Sequence, residues 1–119
     1  MFDDPFWAVR LAAVETVASV SGRECIEVMR AAASDAKSHV RRAAIRVLGQ
    51  MNDATMVDFF RTTFRSDSSY QVQAEAVRAI GRSGDWSQLD FLRQASEMDS
   101  PRDVIRSAAE WAIDEISNP

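Results

Sequence analysis

A valine recurs in this chain at almost constant spacing: Val9, Val40, Val72 and Val104 stand 31, 32 and 32 residues apart. Five residues before each is an aspartate (Asp4, Asp35, Asp67, Asp99), and four residues after each is an alanine (Ala13, Ala44, Ala76, Ala108). Eight residues after come Val17, Leu48, Ile80 and Ala112. Positions i, i+4 and i+8 share one face of an α-helix, so each copy predicts a helix with one apolar face. A helical unit of this size cannot cover that face by itself. The period therefore points to a stacked array in which each copy is buried by its neighbours.

A second stripe follows each valine. Ile26, Val57 and Leu89 lie 17 residues on, and Met29, Phe60 and Leu92 lie 20 on. The two stripes predict an all-α chain of about seven antiparallel helices in two layers, over 4–20, 24–33, a third segment carrying Val40 to Met51, 54–64, 69–82, 87–98 and 100–116. Pro5 and Pro101 stand near first turns, where a missing N–H costs nothing. Ser21-Gly22, Gly49, Gly81 and Gly84 fall near helix ends, which tolerate glycine. The repeat registers are about 4–20, 21–51, 52–84 and 85–117, forming one domain over 1–119.

With 119 residues, 46% of them hydrophobic, the chain can enclose a core. A net charge of −4 and a pI near 4.9 argue against a nucleic-acid partner, whose binding rests on clustered Lys and Arg. No apolar run is long enough to span a membrane and no signal peptide is visible, so no membrane partner is expected. The lone Cys25 sits in an apolar helical pattern and is expected as a small buried residue of a cytoplasmic protein. One histidine, one cysteine and no carboxylates at ligand spacing predict no catalytic residue, no metal and no cofactor. His39 is expected in a solvated turn.

Asp-x4-Val-Arg followed by an alanine-rich helix ending in Leu-Gly resembles the second helix of a HEAT repeat. Asp4-Val9-Arg10 and Asp35-Val40-Arg41 carry the pattern in full. The resemblance implies a right-handed α-α superhelix (a HEAT/armadillo-like solenoid) and an Asp–Arg ladder between neighbouring copies. Gln73 and Ile105 replace the arginine later, so the ladder should break in the C-terminal half. It also implies that the helices bearing the valines form the inner layer and that the chain opens on a second helix, as a fragment or a cap would.

A narrower resemblance lies in Asp3-Asp4-Pro5-Phe6-Trp7-Ala8-Val9-Arg10, Ser69-Tyr70-Gln71-Val72-Gln73-Ala74-Glu75-Ala76 and Asp99-Ser100-Pro101-Arg102-Asp103-Val104. In this order they look like the C-terminal helical-repeat domain of zinc aminopeptidases of the aminopeptidase N type, a domain that packs on the catalytic domain and restricts peptide access. That family's His-Glu-x-x-His and Gly-x-Met-Glu-Asn motifs are absent, so no catalytic or zinc residue carries over. The other reading is a free-standing HEAT-repeat adaptor similar to the phycobilin-lyase-like group, binding another protein.

Two surfaces stand out as candidates. Arg41, Arg42, Arg46, Arg78 and Arg82 gather on the inner helices of the central copies, with Glu75 the main acidic neighbour. They form either a solvated face with structural pairs to loop aspartates, or a basic groove for an acidic protein surface or a peptide carboxylate. Phe6, Leu11 and Val14, with Phe2 and Ala18 nearby, lie on a first helix with no preceding outer helix. They are expected to form an exposed apolar face for docking in cis or for self-association. Trp7, Tyr70 and Trp111 fit packing between repeats better than a ligand box.

Overall fold

The computed structural model describes residues 5–19 and 23–118. Seven α-helices run through them: α1 Trp7–Val17, α2 Arg23–Ala32, α3 Ser38–Gln50, α4 Val57–Ser66, α5 Tyr70–Ser83, α6 Leu89–Ser96 and α7 Val104–Ser117. Single turns of 3-10 helix, Ala54–Met56, Trp86–Gln88 and Pro101–Asp103, lead into α4, α6 and α7. Ser21-Gly22, expected to end the first helix, lie outside the described residues.

The molecule measures 39 × 34 × 18 Å along its principal axes. The short axis fits two stacked helices of about 10 Å diameter each. α1, α3, α5 and α7 lie side by side in one layer, while α2, α4 and α6 pack on α3, α5 and α7 respectively. No two of the latter three touch as extensively as the inner helices do. The layer of α1, α3, α5 and α7, the one the resemblance identifies as inner, is thus the more closely packed of the two.

Between the layers lies the core. Val40, Ala44, Leu48, Val72, Ala76 and Ile80 of the inner helices meet Met29, Phe60 and Leu92 of the outer ones, all essentially inaccessible to solvent. Cys25 is buried with them. Turn chemistry repeats as faithfully as the core does. Asp35 and Asp67 each accept a backbone N–H two residues on, from Lys37 and Ser69, at 2.9 Å. Asp53 and Asp85 do the same for Thr55 and Ser87 and also accept their hydroxyls at 2.6 Å, closing the first turn before α4 and α6.

Gly49 and Gly81 stand in the last turns of their helices, as expected, and they have a packing role besides. Gly49 and Gly81 lie within α3 and α5 and are buried. A Cβ on Gly49 would stand 2.8 Å from the Ala79 Cβ, and one on Gly81 would stand 2.6 Å from the Ala112 Cβ. At these helix ends they are also points of close helix approach.

The fourth copy is shifted by one residue from the valine register. Val104 is only partly buried and Ile105 takes its place in the core. Gly49 meets a residue 30 positions later, Gly81 one 31 later. Subtracting 33 from the buried positions of α7, Ile105, Ala108, Ala109, Ala112 and Ile116, gives Val72, Glu75, Ala76, Ala79 and Ser83, all buried in α5. The additional residue is taken up just before α7, where Arg102 and Asp103 have φ of 56° and 53°. Two non-glycine residues in left-handed conformation compress the loop so that α7 presents a different stripe.

The first copy also departs from expectation. Val9 is 65% exposed, and Ala13 is exposed as well. Val14 is buried instead, with Trp7, Leu11 and Val17 packed against the core around it. Among the described residues α1 has an inner-layer neighbour on one side only, so the stripe turned toward α2 and α3 is the one covered. The apolar face of Phe6, Leu11 and Val14, expected to be exposed, is thus divided. Val14 is 4% exposed, Leu11 is half-buried, and Phe6 stays at the surface near Val9. Phe2 lies outside the described residues. His39 is helical rather than in a turn, exposed in the first turn of α3, with its ring 5.0 Å from that of Trp7.

Candidate interaction surface

The outward side of the inner layer is set by helical spacing. On α3, Arg42, Arg46 and Gln50 recur every four residues and all are exposed. α5 sets Arg78 and Arg82 beside them, and α7 adds Trp111. The structure divides the five arginines into three groups.

Arg41 belongs to the fold. Its guanidinium grips Asp67 through two bonds, Nε to Oδ2 at 2.8 Å and Nη2 to Oδ1 at 3.0 Å, while Nη1 donates to the carbonyls of Asp35 and Ala36. Arg10 repeats the grip one copy earlier, on Asp35, at 2.6 and 2.8 Å. This is the Asp–Arg ladder. It stops where the sequence departs from the motif: Gln73 donates its amide to the Phe64 carbonyl, Ile105 is buried, and Asp99 is exposed with no ion pair among the described residues. Arg106 ties the last copy by a different bond, Nε to the Ser96 carbonyl at 3.1 Å.

Arg42 and Arg78 converge on Glu75. The carboxylate side chain is only 5% exposed and sits 3.5 Å from Arg42 and 3.3 Å from Arg78. It is on α5 at a position that packing would fill with an apolar residue, and two cations compensate its burial.

Arg82 and Arg46 have no carboxylate partner among the described residues. Arg82 lies across the Trp111 ring, its guanidinium carbon 5.2 Å from the centroid. Its Nη1 would be 3.7 Å from a Cβ on Gly49, and that nitrogen is buried without a hydrogen-bond partner. Arg46 projects into solvent one turn beyond Arg42. Exposed Glu115 lies one turn beyond Trp111 on α7, on the same helical face.

Trp111 as the support of Arg82, and Gly49 beneath it, were not legible beforehand, because the three residues come from three helices. Trp86, 71% exposed just before α6, carried no local signal that set it apart. Tyr70 is exposed, and Trp7 packs under Lys37, whose Nζ is 4.9 Å from its ring centroid. Among the described residues no group of three His, Cys, Asp or Glu side chains could hold a metal ion, and no helix is long and apolar enough to cross a membrane.

No curated protein matches the chain. The family model for HEAT repeats does, over residues 1–70. That span contains both intact rungs of the ladder, Arg10 on Asp35 and Arg41 on Asp67, and ends just before Gln73 interrupts it. With more than half its length matched, and with the stacked helix pairs and the ladder in place, the chain belongs to the HEAT-repeat family.

Proposed function

We propose that this chain is a non-catalytic protein-interaction domain that binds its partner on the outward face of α3, α5 and α7. The supporting observation is the charge on that face. Arg42, Arg46, Arg78 and Arg82 gather there, with buried Glu75 between Arg42 and Arg78 and exposed Glu115 at the α7 edge, in a chain whose net charge is −4. A concentration of like charge opposite to the protein's overall sign favours encounter with a partner of complementary charge. Selecting peptide binders against the wild-type protein and repeating the selection with Arg46→Glu/Arg78→Glu tests the reading. Binders should be lost on the variant, and binders that persist would place the interaction elsewhere.

The narrower assignment, a C-terminal domain of an aminopeptidase N-like enzyme packed on its catalytic domain, rests on the sequence resemblance. The family match supports only the HEAT architecture. In both settings the domain contributes contacts rather than chemistry, needs no cofactor, and works in the cytoplasm. Purified protein should release no reporter from aminoacyl substrates, and turnover abolished by a chelator would overturn the non-catalytic reading.

A further inference from the structure

Building on the interaction surface just proposed, we infer that Arg82, braced between Trp111 and Gly49, is the anchor for a carboxylate of an acidic peptide segment whose adjacent apolar side chain rests on Trp111. Arg82 differs from the other arginines of the inner layer. Arg41 is consumed by Asp67, and Arg42 and Arg78 share Glu75. Arg82 instead has its guanidinium over an indole and one nitrogen out of reach of water with nothing to bond.

With Nη1 held in the interior, the guanidinium is fixed in one orientation, and its remaining edge offers a ligand oxygen a charge-assisted bond at less entropic cost than a mobile lysine would. The site is also organised before binding. The indole holds the guanidinium from one side by a cation–π contact. On the other side Nη1 lies against Gly49, at ordinary van der Waals distance from where a Cβ would stand. Less rotamer freedom is then lost when a carboxylate docks on the planar fork.

The surroundings determine the kind of ligand. Arg46, exposed and unpaired among the described residues, offers a second cation on the same face. Trp111, 38% exposed, offers an apolar surface at its edge. Exposed Glu115 lies one turn beyond Trp111 on α7, so a long polyanion continuing past Trp111 would meet repulsion there, whereas a peptide that covers Trp111 with an apolar side chain carries no charge at that point. A peptide carrying glutamate or aspartate beside leucine or phenylalanine meets these conditions, and a nucleic acid does not.

The test uses the purified chain and three probes: a short synthetic peptide rich in glutamate and leucine, its glutamine counterpart, and a single-stranded oligonucleotide. Binding is followed by calorimetry and by the NMR signals of the Arg82 Nε–H and the Trp111 indole N–H. The acidic peptide should shift both signals, and its affinity should weaken as salt is raised. The glutamine peptide should not bind. Arg82→Gln should weaken the acidic peptide by about tenfold or more, as loss of a charge-assisted anchor does. Arg82→Lys, which keeps the charge without the planar fork, should recover only part of the loss, and Arg93→Gln on the outer layer should change nothing. Circular dichroism must show each variant folded; if Arg82→Gln unfolds, Arg82→Lys and Trp111→Leu decide. Wild-type affinity in the folded Arg82 variants would overturn the anchor while leaving the interaction surface intact, provided Arg46 and Arg78 signals still shift. An oligonucleotide binding more tightly than the peptide would overturn the ligand class. Shifts confined to the outer layer would overturn both the anchor and the surface.

Discussion

Gly81 of α5 faces Ala112 of α7 so closely that a Cβ added to the glycine would stand 2.6 Å from the alanine's Cβ and 2.7 Å from its Cα. Gly49 stands in the same relation to Ala79 of α5. The inner layer is thus drawn together through small residues, and its helices approach more closely than those of the outer layer.

Substituting Gly81→Ala or Gly49→Ala sets two effects against each other. Alanine in a helix is favoured over glycine by about 1 kcal/mol. The new methyl, however, meets a neighbouring helix backbone that no rotamer change can move. Overpacking of this kind costs about 1–3 kcal/mol. Both variants should therefore be destabilised in urea unfolding, and a gain in stability at either position would show that the helices are farther apart.

The ladder predicts unequal costs for two chemically identical changes. The Arg41 and Asp67 side chains are 16% and 7% exposed, and removing the arginine leaves a buried carboxylate uncompensated. Arg41→Ala should cost about 2–4 kcal/mol. Arg10, 36% exposed in its pair with Asp35, is screened by water, and Arg10→Ala should cost less, about 1 kcal/mol. Denaturant midpoints of the two variants provide the comparison, and equal costs would contradict the burial difference.

The one-residue shift of the fourth copy can be read by truncation. Ile105→Ala removes a fully buried side chain and should cost about 2–5 kcal/mol. Val104→Ala, at a half-buried position, should cost about 1 kcal/mol or less. The reverse order would restore the valine register.

Acid should loosen the turns before α4 and α6. The hydroxyls of Thr55 and Ser87, and then their backbone N–H groups, hold the Asp53 and Asp85 carboxyls below the usual carboxylate range. A folded-state pKa below the unfolded value of about 3.9 gives stability that is present above that pH and lost as pH falls through the folded pKa. The effect should therefore emerge only below about pH 4, since both groups ionise normally above it. Carboxyl carbon shifts followed by NMR titration should show both midpoints below the ordinary aspartate value of about 3.9. Asp53→Asn and Asp85→Asn should each flatten the acid limb of the stability curve, and an unchanged limb would remove these turns from it.

The sequence by itself determined the helices, their number and the two layers, because a buried helical face must repeat every three to four residues whatever surrounds it. It also determined the ladder and the place where it breaks, since the arginine's fork can grip the loop aspartate of the next copy, and the uncharged Gln73 and Ile105 cannot. The candidate arginines were legible as a group for the same reason: residues four apart on a helix share a face.

Only the tertiary structure decided which member of each set does what. Arg41 and Arg42 are adjacent in sequence, yet a rotation of about 100° around the helix axis turns one into the ladder and the other onto the open face. Val9 and Val40 occupy the same register, but burial depends on the neighbouring helix, and α1 has one on a single side among the described residues. The glycines stand near helix ends, as their spacing indicates, but only the approach of Ala79 and Ala112 shows what the missing Cβ permits. The shift of α7 came from two left-handed residues whose identities, arginine and aspartate, give no warning of that conformation. Arg82, Gly49 and Trp111 come from three helices, and no pattern along the chain brings them together. Periodicity records which residues share a face, and packing alone determines what that face meets.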